Sequence, residues 1–229
     1  MKRTFPILGI LTAALLSYGL YGALVAAPTE QTMGEVQRIF YYHVPSAWTA
    51  FILFFVNFAA SIVYLVWRNP KADAVALTTA EVGVVFCTVV LVTGPIWARP
   101  VWGIWWTWDL RLTLTLVLWL IYVSYLVLRR FSSSGQTPVL AAVLAVFGAL
   151  DVPLVYFSIW FFRTQHPQPV IGGGGSIDPR MLHVLLINWA AFSGFAALVC
   201  WSRYHLEVLS REAEETQALE SLLDAGSSR

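Results

Sequence analysis

An all-α, polytopic membrane fold with six transmembrane helices is what this sequence predicts, and three observations predict it. Hydrophobic residues make up 58% of the 229 and charged residues only 12%, about half the charged share of a soluble domain. The apolar residues gather in long blocks instead of recurring with a period of two or 3.6. Six of those blocks reach the roughly 18 residues that a helix needs to cross the hydrocarbon core.

The predicted spans are residues 5–27, 45–67, 74–97, 110–128, 138–162 and 179–201. The first begins after Met1-Lys2-Arg3 and resembles a signal peptide, but it is too long for a signal h-region and further apolar segments follow, so it reads as an uncleaved helix. Pro45 suits the first turn of the second helix. The third is interrupted early by Thr78, Thr79 and Glu81, which puts the start of its buried part near Val82. Residues 1–202 form the predicted membrane domain. Residues 203–229 are polar and acidic, a tail that reads as a short surface helix with a frayed end.

Six spans place both termini on one side. Lys2, Arg3, Arg68, Lys71, Arg129, Arg130, Arg203 and Arg211 fall on that side, against Arg38, Arg99, Arg111, Arg163 and Arg180 on the other. Lys/Arg excess marks the cytoplasm, so both termini are expected there. The connections 28–44, 98–109 and 163–178 then face outward, and they carry the unusual chemistry. Cys87 and Cys200 lie within apolar blocks and read as small buried hydrophobes. The absence of C-x-x-C-H excludes a c-type cytochrome, and the absence of G-x-x-x-x-G-K-[ST] excludes the ATPase of a transporter.

Residues 97–109 read Trp-Ala-Arg-Pro-Val-Trp-Gly-Ile-Trp-Trp-Thr-Trp-Asp. An interfacial aromatic belt accounts for one or two of these rings; five in one loop exceed that need. A helical loop would align Trp102, Trp105, Trp106 and Asp109, and an extended one Trp102, Ile104, Trp106 and Trp108. Either presents an apolar shelf suited to a planar macrocycle through offset stacking, with Gly103 supplying backbone freedom. Asp109 also reads as the N-cap of the fourth helix, a role compatible with a place in the site. His43, in Tyr-Tyr-His-Val-Pro-Ser-Ala-Trp, and His166, in Arg-Thr-Gln-His-Pro, flank this loop on the outward side. Each alone reads as an interfacial polar residue; two neutral imidazoles on opposite faces are an axial set for haem iron. His183 begins the sixth span without such a context, and His205 lies on the inward side. Asp151 stands deep in the fifth span, where a carboxylate costs roughly 2.5–3.5 kcal/mol; it reads as a hydrogen-bonding group near the bend at Pro153, or as part of a proton or ligand path. Gly172–Gly175 lack a lysine and read as a flexible turn.

The segment Trp102-Gly-Ile-Trp-Trp-Thr-Trp-Asp109 resembles the WWD signature of the haem-handling superfamily of cytochrome c maturation, and the chain's length and span layout resemble its CcmC family. The resemblance covers nearly the whole chain except the acidic tail. It implies a membrane protein that binds haem b on the outer face of the bacterial cytoplasmic membrane and presents it to the periplasmic haem chaperone CcmE. It implies the ABC subunits CcmA and CcmB and the small membrane protein CcmD as partners. It implies His43 and His166 as iron ligands, beside Trp102, Gly103, Trp105, Trp106, Trp108 and Asp109. Arginine pairs with carboxylates through charge-assisted bonds, and Arg111 and Arg163 lie nearest the motifs as partners for the haem propionates. A binding and transfer protein, not an enzyme, is therefore expected. A haem lyase would be longer, with histidines deep in the membrane; a b-type cytochrome anchor would pair histidines from within helices; a permease would need a continuous polar path.

The six-span reading makes a topological prediction. Cysteines introduced at Ser133 and within residues 172–176 are expected to label from opposite sides of intact cells. Labelling of both from outside would contradict six spans.

Overall fold

A computed structural model describes residues 4–132, 134–162, 164–169 and 177–227. Among them there is no β-strand, and six helical segments are long and apolar enough to cross a membrane. The helices are α1 (Thr4–Tyr21), α2 (Phe40–Trp67), α3 (Pro70–Trp102), α4 (Leu110–Phe131), α5 (Thr137–Ala149), α6 (Asp151–Phe161) and α7 (Pro179–Ser227). Helices α5 and α6 together make the fifth span, Thr137–Phe161. The chain is a multi-pass membrane protein whose outer surface is apolar; Ile10 and Phe147, for example, are exposed. The helices alternate in direction, so the bundle has one end with both termini and an opposite end, here called the histidine end, with His43 and His166.

Several boundaries differ from the sequence-based expectation, and each has a local cause. Helix α2 begins at Phe40, running on from a 3-10 turn over Glu35–Ile39, so Pro45 lies inside the helix and not in its first turn. Proline removes one backbone donor there, close enough to the helix start to be accommodated. Helix α3 continues through Pro95 and Pro100 to Trp102 and stops at Gly103, whose φ of 80° is left-handed, a conformation that costs glycine little. Its burial also starts earlier than Val82: Asp73, Ala74, Ala76, Thr78, Thr79 and Ala80 are all buried. The fifth span is broken at Leu150. A proline ring clashes with the carbonyl four residues back, so Pro153 disfavours regular helix at Ala149. The last helix does not end at Trp201 but continues to Ser227.

Helices α2 and α3 form the tightest pair. Their turn is set by Arg68 at φ 53° and by Asn69, whose side chain caps α3 on the N–H of Lys71 at 2.9 Å, with Pro70 at the first helical position. Asn57 donates across the pair to the carbonyl of Ala76 at 2.7 Å. Farther along, the Phe54 ring stacks on Tyr122 of α4 at 3.9 Å. A Cβ on Gly83 would stand 2.7 Å from Phe54, so glycine is what lets α3 approach. Helix α1 is held to α7 in the same way, by Asn188 donating to the Gly19 carbonyl at 3.1 Å. Small residues and interhelical hydrogen bonds do this work in lipid, where apolar burial gives helices no preference for one another.

At the termini end, Asp73 is buried and bidentate to Arg129, at 2.6 and 2.7 Å, and it also binds Arg211 at 2.8 Å. Arg211 pairs in addition with Glu207, and Arg203 with Glu81 and Glu207. These contacts tie α3, α4 and the extended part of α7 together. Removing one partner of a buried ion pair costs about 3–5 kcal/mol because the other charge is left stranded. Asp73→Asn is therefore expected to lower the thermal unfolding midpoint of the detergent-solubilised protein sharply, more than Arg211→Gln, which leaves the Arg129 pair intact.

Candidate functional site

The histidine end gathers the start of α2, the end of α3, the loop 103–109, the start of α4, the end of α6 and the segment 164–169. His43 sits on the first turn of α2, partly buried, with its ring near Gly94. Its Nδ1 lies 2.9 Å from the Thr93 hydroxyl. That hydroxyl gives its one proton to the Val89 carbonyl at 2.7 Å, so it can only accept from the imidazole. His43 therefore carries its proton on Nδ1 and keeps the Nε2 lone pair free.

His166 follows the end of α6. Its Nδ1 stands 2.9 Å from the carbonyl of Pro167, which can only accept, and its N–H donates to the Thr164 hydroxyl at 3.1 Å. This imidazole too is protonated on Nδ1 with Nε2 free. Burial depresses its pKa to about 4, and the nearby Arg111 guanidinium adds to the effect; the Pro167 carbonyl and Asp109 oppose it. The ring is thus neutral at ordinary pH, as a metal ligand must be.

The two rings face each other with centres 6.4 Å apart and planes 34° from parallel. Two imidazoles binding one metal through opposed nitrogens stand roughly 6 Å apart, since each metal–nitrogen bond is about 2.0–2.1 Å and each nitrogen lies about 1 Å from its ring centre. Among the described residues no group of three or more His, Cys, Asp or Glu converges as a metal site. Two nitrogens are too few for a structural zinc, but they suit an iron already held in the plane of a macrocycle.

The tryptophan segment is neither wholly helical nor wholly extended, so neither anticipated stripe forms. Trp102 is on the last turn of α3 and packs edge-on against Trp97 at 5.2 Å. After Gly103 the chain leaves the helix, and Trp106 packs edge-on against Trp108 at 5.8 Å. Trp105 and Trp108 are exposed, at 59% and 76%, while Trp106 is partly buried and its Nε1 has no acceptor among the described residues. The result is two edge-on pairs, with one buried indole N–H that has no acceptor among the described residues.

Asp109 does cap α4, accepting from the N–H of Leu112 at 3.1 Å. Its other oxygen accepts from Thr107 at 3.1 Å and from the backbone N–H of Gln165 at 3.4 Å. The cap therefore also reaches the segment that carries His166. Of the arginines near the histidine end, Arg38 is spent on Glu35 and on the Ala23 carbonyl, Arg99 on the Gly103 carbonyl, and Arg180 on Asp178. Arg111 differs: among the described residues its hydrogen bonds are long ones, 3.3 and 3.4 Å, to the carbonyls of Val155 and Tyr156. Arg163 and the glycine run 172–175 lie outside the described residues. His183 is exposed and turned to Tyr18 of α1 at 3.2 Å, and His205 packs on Trp201 and Tyr204. Asp151 is buried, and its Oδ2 has no hydrogen-bond partner among the described residues. Sequence reasoning did not find Thr93; a lone threonine within an apolar helix carries no signal of its partner.

Loss of an N-cap carboxylate costs about 0.5–2 kcal/mol. Asp109→Ala is expected to lower stability by that amount and to raise amide exchange in residues 164–167, with Asp109→Asn much milder. Unchanged exchange at Gln165 in the alanine variant would show that the cap does not restrain the His166 segment.

Comparison with known proteins extends these observations over the whole chain. The family profile described as "Heme exporter protein C", CcmC, matches residues 1–219. A "Heme exporter protein C" of Bradyrhizobium diazoefficiens is 35% identical over 222 residues, covering 96% of this chain and 84% of that one. The protein of the same name from Haemophilus influenzae is 33% identical over 215 residues, with 91% and 86% covered. A "Putative cytochrome c biosynthesis ccmC-like mitochondrial protein" of Marchantia polymorpha is 32% identical over 179 residues, with 78% and 76% covered. With the match running through all six spans and both histidine segments, the chain belongs to the CcmC, heme exporter protein C, family.

Proposed function

We propose that this protein binds haem b at its histidine end and delivers it for cytochrome c maturation. The observation that carries the reading is the facing pair His43 and His166, both with Nε2 free, 6.4 Å apart beside the tryptophan loop. Haem here is cargo. Its iron would be held by the two imidazoles, its apolar face by Trp102, Trp105, Trp106 and Trp108 around Gly103, and its carboxylates by Arg111 and the Trp106 indole N–H, with Arg163 a further candidate. Asp109 contributes by holding the loop and the His166 segment in register. Trp105 and Trp108 are exposed, which suits a protein that must give its ligand away.

In this reading the histidine end faces the periplasm across the bacterial cytoplasmic membrane, and both termini are cytoplasmic. Residues 1–202 form the haem-handling membrane unit and 203–229 a polar cytoplasmic tail. The recipient is the periplasmic haem chaperone CcmE, and the assembly is an ABC-type exporter with CcmA, CcmB and CcmD. No hydrolytic step is assigned to the chain: its residues bind, orient and release.

Two experiments test the site. Purified protein loaded with haem is expected to show a six-coordinate, low-spin absorption spectrum. His43→Ala or His166→Ala should convert it to a five-coordinate or water-ligated form, recovered in part by free imidazole. A low-spin six-coordinate spectrum that survives in the double variant would place the iron elsewhere. Aromatic contacts contribute about 0.5–1.5 kcal/mol each beyond area burial, so single replacements of Trp105, Trp106 or Trp108 are expected to weaken haem retention by degrees and the triple alanine variant to abolish it. Full haem content in the triple variant would reduce the loop to an interfacial belt.

A further inference from the structure

The two imidazoles are supported differently. His43 is on a helix, and its Nδ1–H is received by a side chain of a second helix: Thr93 of α3, itself anchored to the Val89 carbonyl. The α2–α3 pair is the most tightly locked in the bundle, by Asn57 on Ala76 and by Phe54 against Gly83. His166 is on a non-helical segment, and its Nδ1–H is received by the carbonyl of the next residue of that same segment. Among the described residues, that segment is tied to a helix-capping side chain by the long hydrogen bond from the Gln165 N–H to Asp109 at 3.4 Å. His43 is thus held by a partner that cannot move with it, and His166 by one that must.

We propose that Thr93 is a positioning residue for haem: it fixes His43 as the Nδ1–H tautomer and makes His43 the retained ligand, leaving His166 as the ligand that exchanges during transfer. The inference rests on the haem-site reading above. Its chemistry is general. A ligating imidazole whose other nitrogen donates a hydrogen bond is locked in tautomer and orientation, and becomes a stronger donor to the metal. Without the hydroxyl, His43 is free to place its proton on Nε2 and lose its lone pair for iron.

The test compares Thr93→Val, which keeps the shape and removes the hydroxyl, with Thr93→Ser, which keeps the hydroxyl. Haem affinity, measured by titration of the purified protein, is expected to fall about 10–100-fold in Thr93→Val, the range for loss of such a partner. The midpoint potential of the bound haem should rise, because a less basic imidazole favours the ferric state less. Thr93→Ser should restore both. His43→Ala should lose haem more completely than His166→Ala. If His43→Ala shifts the spectrum while Thr93→Val leaves affinity and potential at their original values, the positioning role is wrong and the site stands. If His166→Ala is the variant that loses haem more completely, the assignment of the retained ligand is wrong. If His43→Ala leaves the spectrum unchanged, the haem-site reading itself fails.

Discussion

Much of this architecture hangs on the antiparallel pairing of α2 with α3. Within lipid a polar group must find its partner inside the protein, and this pair finds several: Asn57 on the Ala76 carbonyl near one end, His43 on Thr93 near the other. The pairing is close because Gly83 presents no side chain to Phe54. Phe54 in turn stacks on Tyr122, which brings α4 into register. Once α4 is placed, Asp109 at its head and Arg111 two residues on are placed too. The site at the histidine end is thus the downstream result of packing in the middle of the bundle.

Charge is distributed by the same rule. At the termini end, Asp73, Arg129 and Arg211 satisfy one another, and Arg203 bridges Glu81 and Glu207. At the other end Arg38, Arg99 and Arg180 are occupied by neighbours, whereas among the described residues Arg111 has long hydrogen bonds to carbonyls. In the proposed reading, that guanidinium, close to the His166 imidazole, is left to pair with a carboxylate of the cargo.

Much of this was legible in the chain itself. The spans are properties of composition over 20 residues, which local irregularity does not disturb. The two histidines and the tryptophan loop stood out because their residue types are rare at that spacing, and connectivity alone put them on one side. What stayed hidden is pairwise. Thr93 looks like any helical threonine bonding its own backbone until His43 is known to lie across from it. Asp73 falls just outside the predicted third span, where a carboxylate is ordinary. Arg129 reads as a topology signal, whereas its side chain is 11% exposed and locked on Asp73. The helix ends at Phe40 and Trp102 were misjudged because prolines near helix termini are tolerated or not according to what precedes them, and the break at Leu150 because one proline can bend a span or divide it.

The length of α7 has a mechanical meaning. A 49-residue helix rises about 73 Å at 1.5 Å per residue, more than twice the roughly 30 Å of hydrocarbon it must cross. No proline lies within it after Pro179, so it has none of the usual proline hinges. Its first turns pack under Tyr41 and Ala27 at the histidine end, and its far part is bolted to α3 through Arg211 and Arg203. It is a stiff rod pinned at two depths, with a polar arm that extends beyond the second pin. A sideways load on that arm is passed to the bundle as torque about the Asp73 pin, not dissipated in a joint.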